Sequence, residues 1–254
     1  MVKRVSIFLY GVVCYAAFFA TFLYAIGFIG NFAVPTTLDG IPALSTGKAV
    51  AIDMLLLSIF ALQHSIMARP FFKRWFTRFI PEAAERSTYV LLSSLALIAL
   101  FIFWQPLGGM VWNVQDPAAR GVLYGCFAFG WLLVLVSTFL INHFDLFGLR
   151  QVWLQLVGKP YTHLKFGTPG PYRLVRHPLY LGWLFCFWAT PTMTGTHLLF
   201  AFVTTAYILV AIQFEETDLV ESLGEDYRRY RERVPMILPL RRPVPDSRRV
   251  NYEV

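Results

Sequence analysis

Five runs of apolar residues, at 5–29, 49–67, 88–104, 121–141 and 196–214, approach or reach the length that crosses a lipid bilayer. About 20 helical residues cover the roughly 30 Å of hydrocarbon, because each residue advances about 1.5 Å. In hydrocarbon every backbone N–H and C=O must be bonded within the protein, and runs this long meet that demand as helices. The expected fold is therefore an all-α, polytopic membrane bundle. A sixth run, 178–190, is shorter. The turn-like Pro191-Thr192-Met193-Thr194-Gly195 joins it to the fifth run, so these two form a helical hairpin whose short arm either spans or re-enters. The first run is too long for the apolar core of a signal peptide and no small-residue cleavage site follows it, so it is expected to remain as a span. Only 15% of the 254 residues are charged, against about 25% in soluble domains.

The placement of charge fixes the number of spans. With six, all but two of the 22 Lys and Arg fall at one end of the bundle, the exceptions being Lys48 and Arg120. Five spans would break this partition. The positive-inside rule then puts both termini in the cytoplasm. The net charge of +7 reads as a membrane-facing bias. No nucleic-acid partner is expected, because no aromatic-interleaved basic groove accompanies the charge. Cys14, Cys126 and Cys186 lie unpaired within apolar runs and read as small core residues, with no metal expected. There is no Walker loop, dinucleotide-binding glycine pattern or zinc signature, and nothing sets an oligomeric state.

The chain reads as one integrated domain in three parts: a four-span bundle over 1–141, a C-terminal part with the hairpin over 142–239, and a polar tail over 240–254. Residues 30–48 and 105–120 look like ordinary outer connections. Residues 68–87, with Arg69, Phe71, Phe72, Lys73, Arg74, Trp75 and Phe76, suit a short interfacial helix or a plain anchoring loop. Residues 142–177 are long for a connection and mix aromatics, polar groups and glycines, as functional segments do. Apolar positions Leu219, Leu223, Tyr227 and Tyr230 give helical spacing over 215–234, which Pro235 ends.

Ionisable groups within or beside spans are costly and therefore point to function. They are Asp53 and His64 in the second run, Asn142, His143 and Asp145 after the fourth, and Glu215, Glu216 and Asp218 after the fifth long run. Asp53 also fits a hydrogen-bonded residue near a helix start, and His64 a bridge between helices. Pro178 suits a first helical turn, with His177 at the cap and Tyr180 and Gly182 facing inward. A helix start attracts carboxylates, and the glycine lets a flat ligand approach the backbone. A cationic helix start opposite Glu215 and Glu216 suits a zwitterionic ligand with a carboxylate, an amine and ribose hydroxyls. The alternative is a structural ion pair between Arg176 and Glu216.

Arg176-His177-Pro178-Leu179-Tyr180-Leu181-Gly182, Glu215-Glu216-Thr217-Asp218-Leu219, Gly224-Glu225-Asp226-Tyr227-Arg228-Arg229-Tyr230 and Val234-Pro235 together resemble the signature of the isoprenylcysteine carboxyl methyltransferase superfamily. His64-Ser65-Ile66-Met67-Ala68-Arg69, Glu85-Arg86-Ser87-Thr88-Tyr89-Val90-Leu91 and Trp104-Gln105-Pro106 are similar to the branch of NnrU-type proteins and bacterial methanethiol S-methyltransferases. The stretches from Ser137 to Gln151 and from Phe187 to Thr194 resemble the latter. The resemblance implies S-adenosylmethionine as methyl donor, a small volatile thiol as substrate, dimethyl sulfide as product and a bacterial inner membrane as location. It implies a donor-binding set of His163, Leu164, Tyr172, Arg173, His177, Tyr180, Gly182, Glu215 and Glu216, with Arg176 pairing with Glu215 or shaping the pocket. A thiol must lose its proton before attack. By position Asp145 and His143 lead as base, as an Asp–His pair, with His64 next. Trp188, Phe144, Phe147 and Trp183 are expected walls of a small thiol cavity, or plain packing. The alternatives are a phospholipid N-methyl or carboxyl methyltransferase, a non-enzymatic NnrU-like membrane protein, and a sterol-reductase-like protein using nicotinamide.

Overall fold

The apolar runs form long helices because a lipid-facing chain satisfies its backbone within each helix. The computed structural model describes residues 1–162 and 166–240. Five helices are long and apolar enough to cross a membrane: α1 (Val2–Gly30), α2 (Thr46–Ala68), α4 (Glu82–Phe103), α5 (Pro117–Ile141) and α9 (Gly195–Leu223). Between α2 and α4 lies α3 (Pro70–Phe76), the short helix expected there. The 142–177 segment folds as α6 (His143–Leu146), α7 (Leu149–Leu156) and a 3-10 turn, Gly170–Arg173. The hairpin's short arm is α8 (Pro178–Trp188), and α10 (Glu225–Arg233) follows α9. Large apolar side chains such as Leu9, Leu23, Leu62, Ile102, Leu132 and Phe202 face outward, which suits a lipid solvent.

The connections expected on the outer side are more ordered than the sequence suggests. Residues 105–120 contain β1 (Met110–Asn113), which pairs antiparallel with β2 (Thr192–Thr194). This explains how the short arm reaches the outer end. From His177, beside Glu216, back to Gly195, α9 climbs about 32 Å. The 11 residues of α8 supply only about 16 Å, and the extended residues 189–194 supply about 20 Å more. The arm therefore runs the full height as half helix, half extended chain. The extended part is bonded by Trp112 Nε1–H to Thr190 O at 3.1 Å and Val114 N–H to Pro191 O at 2.9 Å. Asp53 holds this end too, accepting the Gln105 N–H at 2.9 Å, as a hydrogen-bonded structural residue would.

Helix α8 lies closely along α5. A Cβ on Gly182 would fall 2.8 Å from Gly130 O and 2.9 Å from Val134 N. Small residues let helix backbones approach this closely in membranes. The close approach that Gly182 permits in its Cβ direction is therefore that of the α5 backbone. Between α1, α4, α5, α8 and α9 runs the main core, with Phe28, Leu100, Trp104, Trp131, Phe187 and Ile212. The helix expected over 215–234 is split, because α9 continues to Leu223 and the chain turns at Gly224.

Candidate active site

Consecutive side chains on a helix point about 100° apart, since a turn holds 3.6 residues. Glu215 and Glu216 on α9 therefore serve different neighbours. Glu216 points at the start of α8 and is buried, its side chain 8% exposed. Arg176 donates to its Oε1 through Nε at 2.7 Å and Nη2 at 2.6 Å, and His177 Nε2 bonds the same oxygen at 3.1 Å. Arg176 also donates to Arg231 O and Val234 O at 3.0 and 2.6 Å. The backbone N–H groups of Arg176 and His177 bond Pro235 O and Met236 O. Pro235 ends α10 and turns the chain into this pairing. The result is a closed clasp around the α8 start. Of the two pairings the sequence left open, Arg176 takes the structural ion pair with Glu216 and not Glu215.

Glu215 is the open carboxylate, 45% exposed, with Oε2 at 3.9 Å from His177 Nδ1. The phenol of Tyr180 faces it, and those of Tyr172 and Tyr89 lie within its electrostatic reach. Burial, then the Glu215 charge, push the Tyr172 hydroxyl well above its usual value. Burial pushes Tyr230 up to about 12, so it stays protonated and donates to Tyr172 O at 2.6 Å. Beside this pair an open groove of about 500 Å³ is lined by Phe166, Thr168, Arg173, Arg229, Tyr230 and Arg233, among others. His163 and Leu164 lie outside the described residues.

The 142–148 corner is held together from within. Asn142, at φ 149°, lies between α5 and α6 and accepts the Asp145 N–H at 3.1 Å. A Cβ on Gly148, at φ 88°, would strike Ser87 at 2.6 Å, so the start of α7 docks directly on α4. His143 is 3% exposed, with Tyr15 on Nε2 and Thr138 on Nδ1, each at 2.9 Å. Asp145 takes Arg150 at 2.7 Å and the Tyr161 hydroxyl at 3.2 Å. The expected Asp145–His143 pair does not form, because residues two apart on a helix turn away from each other. Asp218 is tied to Arg69 at 2.8 Å.

His64 faces α4 instead. Its Nδ1 contacts Ser93 Oγ at 3.2 Å, and the Tyr89 hydroxyl lies 3.0 Å from Nε2. The next residue, Ser65, bonds the Tyr207 hydroxyl on α9 at 3.0 Å. Tyr89 was not among the expected site residues. Its signal was present in the spacing Arg86, Tyr89, Ser93, which sets three polar groups on one helical face. Of the four expected thiol walls, Phe147 packs in the cluster of Met67, Tyr89 and Val90. Trp183 and Trp188 belong to the main core, and Phe144 is half exposed beside Phe139 and Tyr15.

The phospholipid methyltransferase family matches residues 122–226. A methanethiol S-methyltransferase of Crocosphaera subtropica is 57% identical over 237 residues, 93% of each chain. One from Mycobacterium tuberculosis is 53% identical, covering 93% of this chain and 97% of its own. This chain belongs to the methanethiol S-methyltransferase family. Nurim of Pan troglodytes is a more distant relative, 32% identical over 179 residues and covering 67% of this chain and 68% of its own. No solved structure matches.

Proposed function

We propose that this chain methylates the sulfur of methanethiol to give dimethyl sulfide, with S-adenosylmethionine as donor, at a cytoplasm-facing site in a bacterial inner membrane. The carrying observation is the open Glu215 carboxylate, ringed by His177, Tyr180 and Tyr172 next to the arginine-lined groove. The donor set suits this molecule. Glu215 and the phenol faces match its cationic groups, and Arg173 and Arg229 match its carboxylate. Phe166 and Tyr230 offer ring faces for adenine. When bound, the donor supplies an electrophilic methyl on a positively charged sulfur.

The chain's own part is to orient, exclude water and supply a thiolate. On the order of 1% of an alkanethiol is ionised at neutral pH, since even cysteine has a pKa of about 8.5. Tyr172, Tyr180 and His177 fix the donor side relative to α9, and the reacting sulfur must be held about 3–3.5 Å from the methyl carbon. Thiolate and sulfonium charges cancel as the bond forms, so apolar walls such as Phe147 and Met67 favour the reaction over separated ions. The basic end of the bundle supports a cytoplasmic location for this site.

Purified protein in lipid nanodiscs, given S-adenosylmethionine and methanethiol, is expected to release dimethyl sulfide and S-adenosylhomocysteine in equal amounts. Methylation confined to a phospholipid amine or a carboxylate would overturn the thiol assignment.

A further inference from the structure

Asp145 is held by Arg150 and Tyr161, and His143 by Tyr15 and Thr138, and none of these partners belongs to the Glu215 side. The base for the thiol must therefore be sought elsewhere. His64 combines two ordered hydroxyl partners with a position next to the donor side. His64 lies one turn from the basic end of α2, partly accessible, its ring stacked on Phe60 at 5.2 Å. Ser93 and Tyr89 hold it from α4. The Tyr89 hydroxyl is shared in reach by Glu215 and Tyr207 on α9, and Tyr180 on α8 has Tyr89 and Tyr207 in reach in turn. Ser65 and Tyr207 close the same gap. The α2–α4 pair and the α8–α9 hairpin thus meet here, with Glu215 and Tyr180 on one side of Tyr89 and His64 on the other. Met67, Phe18 and Phe147 pack beside Tyr89, an apolar surrounding that suits a small thiol.

We infer that His64 is the catalytic base of the thiol reaction and that Tyr89 is the positioning residue that holds its ring. The inference rests on the thiol methyltransferase reading above. With Nδ1–H donated to Ser93 Oγ, Nε2 carries the lone pair; the Tyr89 hydroxyl, 3.0 Å from Nε2 and 3.1 Å from Nδ1, holds the ring and turns from Nε2 as the thiol approaches. The S–H bond breaks, its electrons stay on sulfur, and the proton passes to Nε2. The sulfur then bonds the donor methyl carbon as that carbon's bond to the donor sulfur breaks, its electron pair staying on the donor sulfur. The proton leaves His64 for solvent, so a neutral thiol and a cationic donor become two neutral products and one proton.

The test uses His64→Gln and Tyr89→Phe in nanodiscs, with methanethiol and methaneselenol as paired substrates. The selenol is nearly the same size and is ionised at neutral pH, so it needs no base. Methanethiol turnover is expected to fall about 100-fold in His64→Gln and about 10-fold in Tyr89→Phe, the range of general-base effects. Methaneselenol turnover should stay within about 3-fold of wild type and donor binding by titration should be unchanged, the margin that separates base loss from misfolding. The chain has only 5 histidines, so nitrogen-15 histidine spectra of the donor-free protein can be assigned, and Tyr89→Phe should shift the His64 tautomer signal. Equal loss on both substrates with donor binding intact overturns this inference alone. Wild-type protein that makes no dimethyl sulfide overturns the functional reading with it. If His64→Gln fails to fold, the Tyr89→Phe substrate ratio and spectrum decide: a flat ratio with an unmoved signal overturns the inference.

Discussion

Glu215 and Glu216 share a sequence and a helix but little of their surroundings. Glu216 is enclosed by Arg176, His177 and Arg231, while Glu215 is nearly half exposed with only His177 at 3.9 Å and phenols around it. The difference follows from the 100° step of the helix. It teaches that a paired-carboxylate motif divides its work: one carboxylate is the floor of a closed clasp, the other stays open. The largest expected effect breaks that floor. Removing one partner of a buried ion pair leaves an uncompensated charge and costs about 3–5 kcal/mol. Arg176→Met should therefore lower the thermal midpoint in detergent sharply or abolish the folded protein. An unchanged midpoint would mean the clasp carries no fold.

Glu215→Gln sharpens the same comparison. The fold should persist, and the dissociation constant for S-adenosylmethionine should rise about 30-fold, equivalent to about 2 kcal/mol. Titration calorimetry beside a thermal melt reads both. If Glu215→Gln melts as early as the Arg176 variant, the two carboxylates do not divide their roles.

Gly182→Ala comes next. The added methyl would meet α5 backbone at 2.8–2.9 Å, and overpacking of this kind costs about 1–3 kcal/mol. The backbone on both sides is helical, so neither side yields as a flexible side chain would. A loss of melting temperature with donor affinity retained is expected. Loss of donor affinity at full stability would place Gly182 in the donor site.

The long spans and the hairpin were legible because apolar length is a one-dimensional property. So was the motif from Arg176 to Pro235, because its residues converge through two helix ends that the sequence marks with Pro178 and Pro235. Partner choice was less legible. Nothing in the order Arg176, Glu215, Glu216 says which carboxylate faces α8, since that depends on the rotation of α9. The Asp145–His143 pairing failed for a related reason: adjacency in sequence is separation around a single helical turn. The β1–β2 pairing at the outer end was hidden because neither strand is long enough to show alternation. Tyr89 escapes a reading of the sequence because a tyrosine within an apolar span signals itself weakly, although His64 on the neighbouring packed helix gives it a partner.

The smallest expected effect concerns the closed corner. Burial pushes the His143 imidazole below its ordinary value of 6.5, so the folded protein resists its protonation. Below about pH 6.5 the unfolded chain binds a proton there more readily than the folded one, and stability therefore rises with pH through this window. The contribution is fully present above the unfolded value and is lost as pH falls through the folded one. Thermal midpoints taken between pH 7.5 and 5.5 should decline more for the wild type than for His143→Gln, which cannot take the proton. Equal slopes would mean that the Tyr15 and Thr138 contacts do not hold a neutral ring. The corner would then be as open to protons as the Glu215 side, and its exclusion as a source of the catalytic base would lose its footing.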